Sequence, residues 1–300
     1  MFAYAPESSA GTGFALVTDR FVALTGPEMS DDVAAALYEL LDADGTSIDD
    51  VLDVIATQVS VERLAVVQII DPESRTFHVA VLGDVSVDME GVTASRLSGT
   101  TTAWVSSEAR GVRSLRLALD DEPVAARLPI RRGVVATRSI RVGRPETAPR
   151  SYRAAAAPGT RPITLPRPEE IVADAEARSE RVASGWVLTL PDGTELGPER
   201  PVVFGRRPWS AETTEQQRAG EQVVHVVAPS PQREISGAHL ELSLSDEGLR
   251  ARDLDSTNGT LVITPEKVPR LLHEGRSTTL RSGDILDLGE QFRVVIGTRG

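Results

Sequence analysis

Six prolines fall within residues 143–184, at positions 145, 149, 158, 162, 166 and 168, and no other feature limits so strongly what this chain can fold into. Each fixes φ near −65° and removes a backbone donor, so neither a helix nor a sheet runs through the block, and extended chain is favoured. The block reads as a Pro/Ala/Arg-rich linker, and it divides the chain into a first unit, 1–142, and a second, 185–300. Only its last part, Pro168 to Ala183, carries a helix-start signal, a proline followed by Glu169 and Glu170. A length of 300 residues agrees with two domains of about 150 residues each.

Charge and composition remove several function classes. Forty-four acidic residues against 32 basic ones give a net charge of −12, which opposes the sequence-independent attraction to phosphate backbones and anionic membranes. Nucleic-acid binding is not expected. The absence of cysteine excludes disulfides, thiolate metal sites and a cysteine nucleophile. No apolar run approaches the ~18 residues of a membrane-spanning helix, and Met1 to Gly13 has no basic segment ahead of an apolar one. The expectation is a cytoplasmic protein without membrane insertion. Lys267 is the only lysine, an arginine bias of the kind found in GC-rich bacterial genomes.

The first unit reads as α+β. Phe14 to Thr18 and Phe21 to Thr25 are β-type runs around Asp19-Arg20, a hairpin pattern. Ser30 followed by Asp31 and Asp32 is a helix cap, with Val33, Ala36, Leu37, Leu40 and Leu41 at helical spacing. Ser47 to Asp50 is a second cap, followed by Val51, Leu52, Ile55 and Val59 on one face. From Leu64 the pattern returns to strands: LAVVQII, TFHVAVL and VSVDM as an antiparallel meander, with TTAWVS, VRSLRLAL and VVATRSIRV extending the same sheet. The acids from Asp31 to Asp53 read as caps and solvated faces.

The second unit reads as all-β, with short strands at 186–190, 202–204, 223–227, 239–244, 249–253, 260–263, 277–280, 285–288 and 292–296 separated by turn residues. Three elements fall between them: Gly205-Arg206, Ser236-Gly-Ala-His239, and Asp253-Leu-Asp-Ser-Thr-Asn-Gly-Thr260. In this order, and with the late Ser282-Gly-Asp-Ile-Leu-Asp-Leu-Gly289, residues 185–298 closely resemble the forkhead-associated (FHA) domain. The resemblance implies an eleven-stranded β-sandwich whose loops at one end bind a phosphothreonine peptide. It assigns phosphopeptide contacts to Arg206, Ser236, Thr257 and Asn258, with Gly205, His239 and Gly259 supporting the site. Such a ligand carries about −1.5 to −2 charge and three acceptor oxygens, which suits a guanidinium, two hydroxyls and a carboxamide. His239, at the start of a buried strand, reads as a buttress for the loops.

Two departures from the family pattern stand out. Gly237 occupies a position where an arginine or asparagine often helps hold the phosphate or peptide, and Arg207 or Arg233 is a candidate replacement. The stretch PWSAETTEQQRAGEQ reads as an extended polar loop at the binding end, in which Glu212-Thr213-Thr214 resembles a kinase acceptor site. The first unit also has a faint similarity to metal-dependent protein phosphatases around Gly83-Asp84. The Asp-Gly pair such enzymes use for paired metals is replaced by Leu24-Thr25-Gly26. No catalytic residue, metal or cofactor is therefore expected. The reading is a non-enzymatic adaptor in bacterial signalling whose partners are threonine-phosphorylated proteins, such as a Ser/Thr protein kinase or its substrates. The alternatives are a divergent or inactive phosphatase-like protein targeted by an FHA domain, and a scaffold with an unused pocket.

Overall fold

The computed structural model describes residues 2–4, 11–59, 61–91, 95–120, 128–143, 185–209, 221–273 and 275–299. The helix-start signal at 168–183 and Thr213 and Thr214 lie outside the described residues. Among the described residues, no helix is long and apolar enough to cross a membrane.

The first unit contains strands β1 (Phe2–Tyr4), β2 (Gly13–Val17), β3 (Phe21–Thr25), β4 (Leu64–Asp71), β5 (Thr76–Leu82), β6 (Ser86–Glu90), β7 (Ser95–Ser98), β8 (Trp104–Ala109), β9 (Ser114–Ala118), β10 (Leu128–Ile130), β11 (Gly133–Thr137) and β12 (Ser139–Val142). Helices α1 (Asp31–Asp42) and α2 (Ile48–Gln58) lie between β3 and β4. Both caps form: Ser30 accepts from the Val33 N–H, and Ser47 and Asp50 make a reciprocal capping box. In α1 the inward stripe is Ala34, Leu37 and Leu41, and Ala36 faces outward.

The strands form two sheets rather than the single expected one. One has the order β10-β1-β12-β9-β6-β7, and the other begins β11-β2-β3-β4-β5-β8. The run VVATRSIRV divides at Arg138, β11 pairing with β2 in one sheet and β12 with β9 in the other. VSVDM likewise leaves the meander and pairs with β9. Between the sheets lie Val22, Leu24, Val67, Val87 and Leu117; on the opposite face Phe21, Ala23 and Val66 pack under the helices against Leu41, Leu52 and Ile55. This two-sided burial explains why β3 has no polar face.

Residues 185–299 contain β13 (Trp186–Thr189), β14 (Glu195–Leu196), β15 (Val202–Gly205), β16 (Val223–Val227), β17 (Leu240–Ser245), β18 (Gly248–Asp253), β19 (Thr260–Ile263), β20 (Arg270–Leu272), β21 (Ser277–Thr279), β22 (Ile285–Asp287) and β23 (Arg293–Thr298). That is the eleven-stranded sandwich expected. One sheet runs β14-β13-β23-β22-β19-β20, and the other β16-β15-β17-β18-β21.

The two units are in direct contact. Strand β16 pairs antiparallel with β8, with Val223 opposite Ser106, Val224 opposite Val105 and His225 opposite Trp104. The two five- and six-stranded halves thereby form one eleven-stranded sheet from β11 to β21. Trp209 crosses the same seam and lies in the apolar cluster beneath α1 and α2.

Candidate functional site

Strand direction brings the three motif loops together. β15 runs antiparallel to β17 and β17 to β18, with Phe204 opposite Leu240 and Leu240 opposite Asp253. The end of β15, the start of β17 and the end of β18 therefore lie at one tip of the sandwich, and the segments 205–209, 236–239 and 254–259 emerge there side by side.

Backbone contacts fix their spacing. The Arg206 N–H donates to the Ser236 carbonyl at 3.0 Å, and the Arg207 N–H to the Gly237 carbonyl at 3.1 Å. The approach leaves no room for a side chain at residue 205, since a Cβ there would lie 1.8 Å from the Gly237 carbonyl oxygen. Glycine is needed at this position for contact distance, not for an unusual φ. At Gly259 both reasons apply: φ is +75°, and a Cβ would come within 2.8 Å of the Leu272 carbonyl oxygen.

His239 is fully buried and connects two of the loops. Its Nδ1 accepts the Ser236 N–H at 3.0 Å, so Nε2 carries the proton and donates to the Gly259 carbonyl at 3.2 Å. Burial pushes its pKa down, against the opposing effects of the Gly259 bond and the Asp253 charge, so the ring holds this neutral tautomer. The turn after β18 has its own scaffold. Buried Asp253 accepts from the Ser256 N–H at 3.0 Å and the Ser256 hydroxyl at 2.5 Å, and Ser256 Oγ accepts the Gly259 N–H at 3.0 Å. Thr257 and Asn258 are thereby presented outward, and both are exposed.

The hydroxyls of Ser236 and Thr257 lie 3.4 Å apart, and the Thr257 N–H donates to Ser236 Oγ at 3.0 Å. Asn258 Nδ2 donates to the Glu234 carbonyl at 2.8 Å. Arg206 is half-buried at the adjoining strand end, and its Nε is buried without a hydrogen-bond partner among the described residues. The structure thus brings together all four residues singled out in the sequence as ligand contacts and the three singled out as supports.

Other expectations change. Arg207 is ion-paired with Asp53 of α2, so its charge is directed at the first unit. The stretch after it is not polar loop throughout: Pro208 and Trp209 are buried. Asp53 is not a solvated acid, because besides Arg207 it accepts the Trp209 indole N–H at 2.7 Å. Beside it, burial and the neighbouring Asp53 and Asp50 charges raise the Asp49 pKa to about 6, with Arg207 opposing. The α2 acids give no sequence signal of this contact, since Asp49, Asp50 and Asp53 at a helix start have the pattern of cap and dipole residues. Among the described residues no three His, Cys, Asp or Glu side chains gather as metal ligands.

Comparison with known proteins places a match to the FHA domain family model over residues 202–289. No curated protein matches the chain. Among solved structures, one reported as "Structural and functional analysis of phosphothreonine-dependent FHA domain interactions" is 23% identical, covering 39% of this chain and 98% of its own, with a TM-score of 0.27. The FHA domain of an Arabidopsis thaliana hypothetical protein is 22% identical, covering 40% of this chain and 89% of its own, with a TM-score of 0.28. The FHA domain of human APLF, in complex with an XRCC1 bisphospho peptide, is 20% identical over 38% of this chain and 99% of its own, with a TM-score of 0.28. The C-terminal β-sandwich contains, over residues 202–289, an FHA domain.

Proposed function

We propose that the chain is a non-enzymatic adaptor that binds phosphothreonine peptides of proteins phosphorylated by a bacterial Ser/Thr kinase. The observation that carries this reading is the convergence of the Ser236 and Thr257 hydroxyls, 3.4 Å apart, beside the strand end that holds Arg206. In this reading Arg206 supplies the fixed cation, Ser236 and Thr257 donate to phosphate oxygens, and Asn258 orients the peptide main chain by exchanging its bond to Glu234. The buried, unpartnered Nε of Arg206 supports an acceptor at this position, because a buried donor is ordinarily satisfied. The pocket is local: residues 185–300 hold 17 acids and 13 bases, so the domain's overall field does not attract an anion. Affinity then depends on few charge-assisted bonds, each worth roughly 1.5–3 kcal/mol.

A phosphothreonine peptide library, read beside matched phosphoserine and unmodified peptides, tests the proposal. Preference for phosphothreonine is expected, and Arg206→Ala is expected to weaken binding at least tenfold, about 1.4 kcal/mol or more. Equal binding of the three peptide classes overturns it. Manganese-dependent hydrolysis of an aryl phosphate above background would instead favour the phosphatase-like alternative for the first unit.

A further inference from the structure

The segment that follows the pocket arginine is held, at each of its next three residues, by groups belonging to or anchored on the first unit. The Arg207 guanidinium is ion-paired with the Asp53 carboxylate. The Pro208 carbonyl lies 3.2 Å from His225 Nδ1 and can only accept, so that nitrogen carries the proton. His225 Nε2 then accepts the hydroxyl of Ser106, on β8, at 2.7 Å. The Trp209 indole N–H donates to Asp53 Oδ1 at 2.7 Å, and its ring, 3% exposed, lies in the cluster that contains Leu52, Ile55 and Trp104. The Pro208–His225 contact lies within the sandwich, on its edge strand β16, and the others reach across to α2 and β8.

We propose that Asp53 of α2 is a positioning residue for the phosphopeptide pocket: through Arg207 and Trp209 it fixes the 206–209 segment, and with it the guanidinium of Arg206. The proposal rests on the phosphopeptide reading given above. Its physical basis is preorganisation. A guanidinium on a loop already immobilised by Asp53, Ser106 and His225 meets the phosphate without loop ordering being deducted from the binding free energy. The first unit is then a working part of the binding site, although none of its atoms need touch the ligand.

The test is a double-mutant cycle in the full chain, read as affinity for one phosphothreonine peptide and its unmodified counterpart. Asp53→Ala is expected to weaken the phosphopeptide about tenfold and to leave the unmodified peptide unchanged. Asp53→Asn keeps the acceptor for Trp209 and loses the ion pair, so it is expected to fall between the two. In an Arg206→Ala background, Asp53→Ala is expected to have no further effect, because its influence passes through Arg206; a general loss of structure would give the same factor in both backgrounds. Trp209→Phe keeps an aromatic ring in the cluster while losing the indole donor and part of the buried bulk, and is expected to weaken phosphopeptide binding several-fold should Asp53→Ala fold poorly. Wild-type affinity in both Asp53→Ala and Trp209→Phe overturns the proposal, as does an equal Asp53→Ala factor with and without Arg206. Absence of phosphopeptide binding by the wild-type chain would overturn the adaptor reading itself, and this inference with it.

Discussion

At the scale of single residues, the site is built from buried hydrogen-bonding groups that lock geometry around one cation. His239 satisfies one donor and one acceptor from two different loops, and Asp253 accepts two donors of Ser256 in the turn that presents Thr257 and Asn258. The less comfortable residue is Asp49. Its pKa is raised to about 6, mainly by burial, so its ionised form is disfavoured in the folded state. A carboxyl with a raised folded pKa contributes full stability below its unfolded value of about 3.9, and that contribution is lost as pH rises through about 6. Asp49→Asn is therefore expected to stabilise the protein at pH 7, on the order of 1 kcal/mol after solvent screening, with the difference from wild type vanishing near pH 4. Urea denaturation of both proteins at the two pH values measures it, and an Asn variant no more stable at pH 7 would contradict it. The convergence of Arg206, Ser236 and Thr257 at one tip was legible in the sequence because a motif fixes their order and the intervening strands fix their direction. Asp53 was not legible, because an acid in the first turns of a helix has the same pattern whether it faces water or an indole 156 residues away.

At the scale of elements, the periodicities located both helices and most strands, and failed where an element is too short to show a period. β14 has two residues and β20 three, and they exist because Leu196 pairs with Leu188 and Thr260 with Leu272. The division of VVATRSIRV between two sheets was equally hidden, since both halves alternate in the same way. β16 shows what an edge strand gains from a neighbour. Alone, its outer edge would present unpaired N–H and C=O groups; here β8 covers them. The covered strand carries His225, whose pKa burial pushes down to about 3, and His78 of β5 is pushed by burial to about 4. The sign is opposite to that of Asp49. Each depressed histidine leaves stability intact above about pH 6.5 and lost progressively as pH falls toward its folded value, at up to about 1.4 kcal/mol per pH unit. His239 is depressed in the same direction, so three histidines act against one carboxyl, and acidification from pH 7 to pH 5 is expected to lower the urea midpoint. A midpoint unchanged or raised at pH 5 would show that the seam is not closed around neutral imidazoles.

At the scale of the whole molecule, the first unit and the FHA sandwich share one sheet and one apolar cluster, with Val105, Val224 and Phe204 in a single buried set. Units coupled in this way are expected to unfold together, so calorimetry of the full chain should give one transition with equal calorimetric and van't Hoff enthalpies. Two separated transitions would mean that the seam contributes little. The sequence by itself determined what local chemistry controls: where helices cap, where strands run, and which motif residues reach one tip of a sandwich. Those features depend on residues a few positions apart or on a fixed strand order. The tertiary structure alone decided that the first unit splits into two sheets and that β8 takes the free edge of β16. It alone decided, too, that Asp53, directly, and Ser106, through His225, reach the segment beside Arg206. The seam contacts join residues more than a hundred positions apart, and they arise from the fit of two surfaces, a property that no periodicity or spacing along the chain encodes.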